Sequence, residues 1–447
     1  MSKLRLRHLV QLAFLLFMSW IGYRHQLLGG GPQGVPPVDT LCPFGGLESL
    51  KAFVIDGGWL RRVAPSALVL FVIVVAMTLL VGRVFCGWIC PLGTLGEWTA
   101  QIGRKLGIRP RPLPPSVDRP LRWVKYVGLI AIITGTWRLG TLVWRDLDPW
   151  VAWMHLSSGW AEVAERPWAY LALFLLVIGA SLFIERFWCR YLCPLGAALA
   201  PFQKLALVKI RRSKTSCVSC RACDRHCPVG LEPMTVGTVT SAECIACGRC
   251  VEACPVEKTL FFGLPSRTLS VTATGLLGLA LFFGGYGLAR ATSLWQTSAP
   301  LPPTVAASDP TEALYGWMSV NEMARAVDLT AEEIIAVGDL PVDIDRDLSL
   351  KRVDGVDDEK LKEQVALYLR QKGKNLPASG LPNPDEIRGS LTLDEVAALY
   401  GLDAAAILKE ASWPEEAPRD IPLKELKDRY GTELDVVRDA VRNLIGP

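Results

Sequence analysis

The sequence predicts a mostly α-helical membrane protein: a polytopic bundle of about five spans, internally duplicated, with a cysteine-dense insert and a tandem small helical C-terminal domain. Three observations predict it. Half of the 447 residues are hydrophobic, only 21% are charged, and the mean hydropathy is +0.28, a combination that excludes a disordered chain and is unusual for a soluble one. Several apolar runs exceed fifteen residues. Charge is also unevenly distributed: residues 1–300 carry a net +16 and residues 301–447 a net −12, so the two parts belong in different surroundings.

The first expected span, 8–23, follows Lys3, Arg5 and Arg7. No small-residue cleavage site succeeds it, so it reads as an uncleaved anchor. Further runs at 66–82, 121–137, 168–185 and 269–289 approach the ~20 residues that a bilayer core requires. Trp59, Trp88, Trp123, Trp144, Trp168 and Trp188 lie mostly near span ends, as interfacial anchors do. Basic residues crowd the 83–120 loop and the 186–214 stretch, whereas the 24–64 and 138–167 loops hold four and three. The positive-inside rule therefore expects 186–267 in the cytoplasm and the chain beyond about 290 outside, in a bacterial inner membrane.

Two repeats organise the chain. Arg83-Val-Phe-Cys86-Gly-Trp-Ile-Cys90-Pro91-Leu92-Gly93 recurs as Arg186-Phe-Trp-Cys189-Arg-Tyr-Leu-Cys193-Pro194-Leu195-Gly196, 103 residues on. A fainter echo pairs Leu41-Cys42-Pro43-Phe44 with Leu147-Asp148-Pro149-Trp150. Spans one and two thus read as duplicated in spans three and four, in the same orientation. After a Pro-rich linker near 299–312, Gly316–Lys351 aligns with Gly389–Lys424 at an offset of 73, with 11 of 36 positions identical. Thr392 and Glu395 match a capping box there. The expected domains are 1–200 (duplicated membrane domain), 201–265 (cysteine-dense module), 266–292 (fifth span), 293–312 (linker), and helical repeats at 313–388 and 389–447.

Eight of the thirteen cysteines form Cys217-x2-Cys220-x2-Cys223-x3-Cys227-Pro228 and Cys244-x2-Cys247-x2-Cys250-x3-Cys254-Pro255. This is the run of a bacterial-type two-cluster ferredoxin, in which three closely spaced thiolates hold one 4Fe–4S cluster and the fourth crosses to the other. One cluster would use Cys217, Cys220, Cys223 and Cys254, and the second Cys244, Cys247, Cys250 and Cys227. The alternative is a structural zinc pair, which does not need a doubled, interlocked pattern. Cys86 with Cys90, and Cys189 with Cys193, lie four residues apart at the ends of spans two and four. They are either packing sulfurs or a further redox or metal centre. Cys42 falls at the opposite end of its span in this topology and is assigned a different role or none. Its counterpart Asp148 either deprotonates a quinol or caps the turn before Pro149.

Other chemistry is excluded. Neither a haem-attachment Cys-x-x-Cys-His nor a Walker motif occurs, and none of the four histidines lies mid-span. Gly29-x-Gly31-x-x-Gly34 matches a dinucleotide fingerprint only formally, since it contains Pro32 and follows a span instead of a strand. The tail looks superficially like helix-turn-helix, but its net −12 argues against nucleic acid.

The twin Cys-x3-Cys-Pro motifs, the Cys42-Pro-Phe-Gly-Gly-Leu-Glu48 segment and the double cysteine run together resemble the membrane-bound ferredoxin-type proteins of the NapH/NosR/CcoG kind, over roughly residues 8–290. The resemblance implies electron transfer between the membrane quinone pool and a redox partner, with the clusters on the cytoplasmic side and the eight module cysteines as ligands. The chain would then be an electron-transfer subunit of a quinol-linked oxidoreductase complex, with its protein partner docking on the acidic C-terminal repeats. The alternative is a redox-sensing assembly or regulatory factor for a metalloenzyme. Nothing in 313–447 matches the flavin-binding domain that NosR-type proteins carry at their other end.

Overall fold

The computed structural model describes residues 3–28, 35–36, 38–55, 60, 63–108, 113–264, 267–297, 314, 318–341, 343–348, 350, 353, 356, 358–371, 387, 391–400, 402–411, 413–414, 417–421, 423, 426 and 434–445. The Gly29–Gly34 fingerprint and the Pro-rich linker lie outside them. The protein is mostly helical and divides into two compact units, Met1–Pro300 and Leu301–Pro447.

The first unit is built on α1 (Lys3–Leu28), α2 (Pro43–Glu48), α3 (Pro65–Val81), α4 (Pro91–Lys105), α5 (Val124–Leu139), α6 (Pro149–Met154), α7 (Pro167–Phe183), α8 (Pro194–Leu205) and α9 (Val271–Ala291). Six of these open on a proline. It suits the first helical position, because its missing N–H would have no partner there and its φ is already helical. Among the described residues, two helical stretches are long and apolar enough to cross a membrane, Leu6–Leu27 and Val271–Ala291. Pro65–Val81 and Pro167–Phe183 are apolar but shorter. The first helix starts earlier than the expected 8–23, and its opening turns face inward: Arg7 and Gln11 are fully buried against α4.

Helices and cysteine module share one core. Val74, Met77, Val81, Val84 and Trp88 pack with Cys223, Cys244, Cys250, Phe262 and Val271. The module is tied off by three antiparallel strands, β1 (Lys209–Arg212), β2 (Leu260–Gly263) and β3 (Thr268–Leu269), in that order. Ile210 pairs with Phe262, so β1 and β2 clamp the two ends of the cysteine segment together. Close approach explains two glycines: a Cβ on Gly275 of α9 would stand 2.2 Å from the Trp88 ring, and one on Gly46 2.2 Å from the Ala67 carbonyl oxygen.

The two Cys-x3-Cys-Pro segments fold alike at their ends. The Cys90 amide donates to the Phe85 carbonyl and the Cys193 amide to the Trp188 carbonyl, both at 2.9 Å. Each cysteine is then the residue before Pro N1 of a helix, α4 or α8. Their arginines cross over. Arg83 Nη1 donates to the Gly196 carbonyl at 2.8 Å, while Arg186 Nη1 lies 2.8 Å from where a Cβ on Gly93 would be.

The second unit contains α10 (Val320–Ala326), α11 (Ala331–Val337), α12 (Asp358–Gln371), α13 (Leu393–Tyr400), α14 (Ala404–Glu410) and α15 (Leu434–Ile445). Ser319 with Glu322, and Thr392 with Glu395, each exchange backbone–side-chain hydrogen bonds as capping boxes. The Leu350 amide donates to Met318 O and the Leu423 amide to Leu391 O, again 73 residues apart. Separate cores form around Met323, Ile334 and Val365 and around Val396, Ile407 and Val441.

Candidate functional site

The module's eight cysteines line two separate cavities. Cys217, Cys220, Cys223 and Cys254 surround one, and Cys227, Cys244, Cys247 and Cys250 surround the other. Local backbone accounts for the convergence. Ser219 and Arg221 in the first loop have positive φ (54° and 58°), as do Ala246 and Gly248 in the second (49° and 79°). Left-handed residues at these places turn consecutive N–H groups inward, a concavity suited to anionic sulfur. A one-turn helix then presents Cys223 (Ala222–Arg225) or Cys250 (Arg249–Glu252).

These sets fit iron–sulfur clusters better than single ions. No three His, Cys, Asp or Glu side chains among the described residues close on one point as a mononuclear site requires. In a four-iron cluster each thiolate meets its own iron, so the sulfurs stand apart around a shared cavity. The two sites differ in exposure. Cys220 is exposed, whereas Cys244, Cys247 and Cys250 are buried. Burial pushes the Cys244 thiol up to about 12 and that of Cys227 to about 11, so a bound metal has to displace their protons. Cys217 is instead lowered, by the Ser219 amide and by Arg212.

An apolar cavity of about 470 Å³ lies among the helices of the same unit. Its wall includes Cys42, Cys90, Asp148 and Cys193, which are the four residues that immediately precede Pro N1 of α2, α4, α6 and α8. Cys189 lines it too, together with Trp144, Trp150 and Trp188. Trp144 stacks on Trp188 with centroids 6.1 Å apart. Cys42 therefore does not stand apart, as its place in the sequence implied. The short α2 folds back against the start of α3 and turns its N-terminal residue onto the same cavity. Cys86 is not on this wall; it packs beside Cys227 and Cys247 of the buried module site. Cys86 remains a neighbour of the other three, interacting electrostatically with Cys90, Cys189 and Cys193, so the four together link the cavity to the second cysteine site.

Sequence reasoning missed the polar network beneath these sites. Glu97, fully buried, is paired with Arg7 and, at 2.7 Å, with Arg186; Arg249 stands 3.7 Å away and also pairs with Glu185. Arg186 Nη1 donates to the Cys86 carbonyl at 2.8 Å, and Arg83 Nε to the Cys244 carbonyl at 3.2 Å. Burial alone would raise the Glu97 pKa. The guanidiniums of Arg186, Arg7 and Arg249 overcome that and hold it far below the carboxylate range. A lone Glu in a glycine-rich helix gives no periodic signal of this kind; only the recurrence of Arg83 as Arg186 hinted at it.

Paired four-cysteine cavities packed onto an apolar helical unit define an iron–sulfur electron-transfer protein of the ferredoxin type. Comparison with known proteins agrees. A family described as a 4Fe–4S binding domain matches residues 63–109 and 166–214, the two copies of the Cys-x3-Cys repeat. A 4Fe–4S dicluster domain matches 209–255. YccM of Escherichia coli (strain K12), which carries an electron-transport description, is 34% identical over 275 residues, covering 59% of this chain and 76% of its own. The ferredoxin-type protein NapH of Haemophilus influenzae is 33% identical over 230 residues, 50% of this chain and 73% of its own. The regulatory protein NosR of Stutzerimonas stutzeri is 33% identical over 190 residues, but those are 41% of this chain and 25% of NosR. No solved structure matches. The chain belongs to the ferredoxin-type 4Fe–4S protein family that includes NapH and NosR.

Proposed function

We propose that the chain is a membrane-anchored relay that passes electrons through two 4Fe–4S clusters between the quinone pool and a redox protein partner. The observation that carries this is the order of the sites. The apolar cavity holds Cys90, Cys189 and Cys193, Cys86 sits between that region and the buried Cys227/Cys247 site, and the exposed Cys220 site is reached last. The clusters supply one-electron chemistry, and the protein's part is to bury one and expose the other. Exposed Arg221 on the wall of the outer site and exposed Arg225, which donates to the Cys220 carbonyl, favour an acidic partner there; the acidic C-terminal repeats offer a second docking surface, for a basic one. Cys86, Cys90, Cys189 and Cys193 form the proposed further redox or metal site. In the purified full chain, dithionite-reduced clusters are expected to be reoxidised rapidly by a quinone. A quadruple Cys→Ser variant at those four positions is expected to lose both iron and this coupling. Slow reoxidation of the parent would sink the relay.

A second reading, a redox-sensing assembly or regulatory factor, is kept by the similarity to a protein described as regulatory. It requires that deleting the chain abolish the metal centre of another enzyme while its own clusters react sluggishly with quinone.

The architecture that goes with the relay has five crossings, α1, α3, α5, α7 and α9, and a C-terminal pair of helical repeats outside. Helices α3 and α7, of 17 residues, and α5, of 16, are shorter than the ~20 that span a bilayer upright, and suit a locally thinned membrane. A phosphatase fused after Lys258 should be inactive and one after Gly401 active. The opposite pattern would overturn the orientation.

A further inference from the structure

Among the described residues, Arg7, Arg83, Arg166, Arg186 and Arg190 are buried, and four of them are ion-paired: Arg7 and Arg186 with Glu97, Arg166 with Glu162, and Arg190 with Asp118. Arg83, 2% exposed, is held differently. Its guanidinium donates to two backbone carbonyls, from Nε to Cys244 at 3.2 Å and from Nη1 to Gly196 at 2.8 Å. Glu243, the carboxylate on which its charge acts, is itself paired with Lys125 and accepts the Tyr126 hydroxyl at 3.1 Å.

The internal repeat locates the difference. Arg186 reaches across to α4, where Glu97 meets it, and Arg83 reaches across to α8. The position equivalent to Glu97, 103 residues on, is Ala200, itself buried. The two arginines are thus equivalent in sequence and unequal in counter-charge. A guanidinium buried in this way is costly unless an anion stands beside it. The candidates at hand are sulfurs: the Arg83 charge acts on both Cys86 and Cys244.

We propose that Arg83 is the built-in counter-charge of the inner cluster and raises its reduction potential above what burial alone would give, an assignment that rests on the two-cluster reading above. A four-iron cluster with its four thiolates gains one negative charge on one-electron reduction. Removal from water opposes that gain, and a fixed cation favours it. At the outer site the charges of exposed Arg221 and Arg225 are screened by solvent and salt, whereas Arg83 acts through the core, where screening is weak. One guanidinium therefore keeps the buried site reducible without altering the exposed one.

The test separates charge from packing. In the full chain with its clusters loaded, EPR-monitored redox titration gives each cluster's midpoint, and Cys220→Ala identifies the outer signal. Arg83→Gln is expected to weaken the inner cluster's electron affinity about tenfold or more, a negative shift of at least about 59 mV for a one-electron couple. The outer midpoint and the total iron should be unchanged, and Arg83→Lys should stay near the parent. Ala200→Glu, which supplies the missing carboxylate with Arg83 intact, should give the same negative shift, and Ala200→Gln, of the same bulk, should not. If Arg83→Gln sheds iron while Arg83→Lys keeps it, the two Ala200 variants decide. An inner midpoint unmoved in Arg83→Gln, or the same in Ala200→Glu as in Ala200→Gln, would overturn the assignment. So would iron loss in Arg83→Lys as well, which would make Arg83 a brace for the fold. A parent without two reducible iron–sulfur signals would instead remove the two-cluster reading, and the role of Arg83 with it.

Discussion

Replacing Cys247 by alanine is expected to cost the protein one cluster outright, leaving about half of the roughly eight irons that two such clusters contain. The side chain is 6% exposed and packed among Val229, Ile245 and Leu231, so no water can take the vacated position. Cys220→Ala should behave differently. Cys220 is exposed, and solvent can supply a substitute ligand or the site can settle as a three-iron form. Iron analysis with EPR of the dithionite-reduced proteins distinguishes the two. The functional split should be sharper still. Cys86 packs against the Cys227/Cys247 site, so losing that site should disconnect quinol from the outer cluster, whereas dithionite should still reduce the outer one. Equal iron loss in both variants, or unimpaired quinol-driven reduction in Cys247→Ala, would refute the inner and outer order.

The second large effect is expected at Glu97. Substitution by glutamine leaves Arg7 and Arg186, both without solvent access, facing a neutral amide. Breaking a buried pair from one side costs about 3–5 kcal/mol, because the remaining charges stay desolvated. The loss should appear as a lower thermal unfolding midpoint in detergent, with the start of α1 the first segment to loosen. Since Glu97 is also linked through Arg186 to the Cys86 carbonyl, cluster loading should become less complete. The pH dependence has a definite sign. A carboxylate whose folded pKa is depressed adds stability that is fully present above its unfolded pKa, near 4.3, and is lost progressively as pH falls toward the folded one. The parent should therefore lose stability below about pH 4 and Glu97→Gln should lack that contribution. An unchanged midpoint in Glu97→Gln would show the network to be dispensable.

The cysteine spacing, three thiolates at short intervals and a fourth before proline, groups the eight residues by the two-cluster ferredoxin pattern into the same two sets that line the two cavities. Proline follows Cys42, Cys90, Asp148 and Cys193 and opens a helix at each, because its φ is already helical, but the sequence placed the two Cys-x3-Cys pairs at the ends of spans and did not show that new helices begin there. Two of the apolar runs became helices long enough to span a bilayer, and the others came out shorter, because apolar composition does not say where a helix stops. What the four helix starts face could not be read from spacing. Cys42 and Cys90 are separated by α3, and only the folding of α2 back onto the start of that helix brings both to one cavity. Glu97 was silent for a related reason. A single charge is ordinary in sequence, and its partners Arg7, Arg186 and Arg249 come from three distant segments. Local covalent limits and ligand spacing are legible in one dimension; the burial of a charge and the sharing of a cavity depend on which faces the packing brings together.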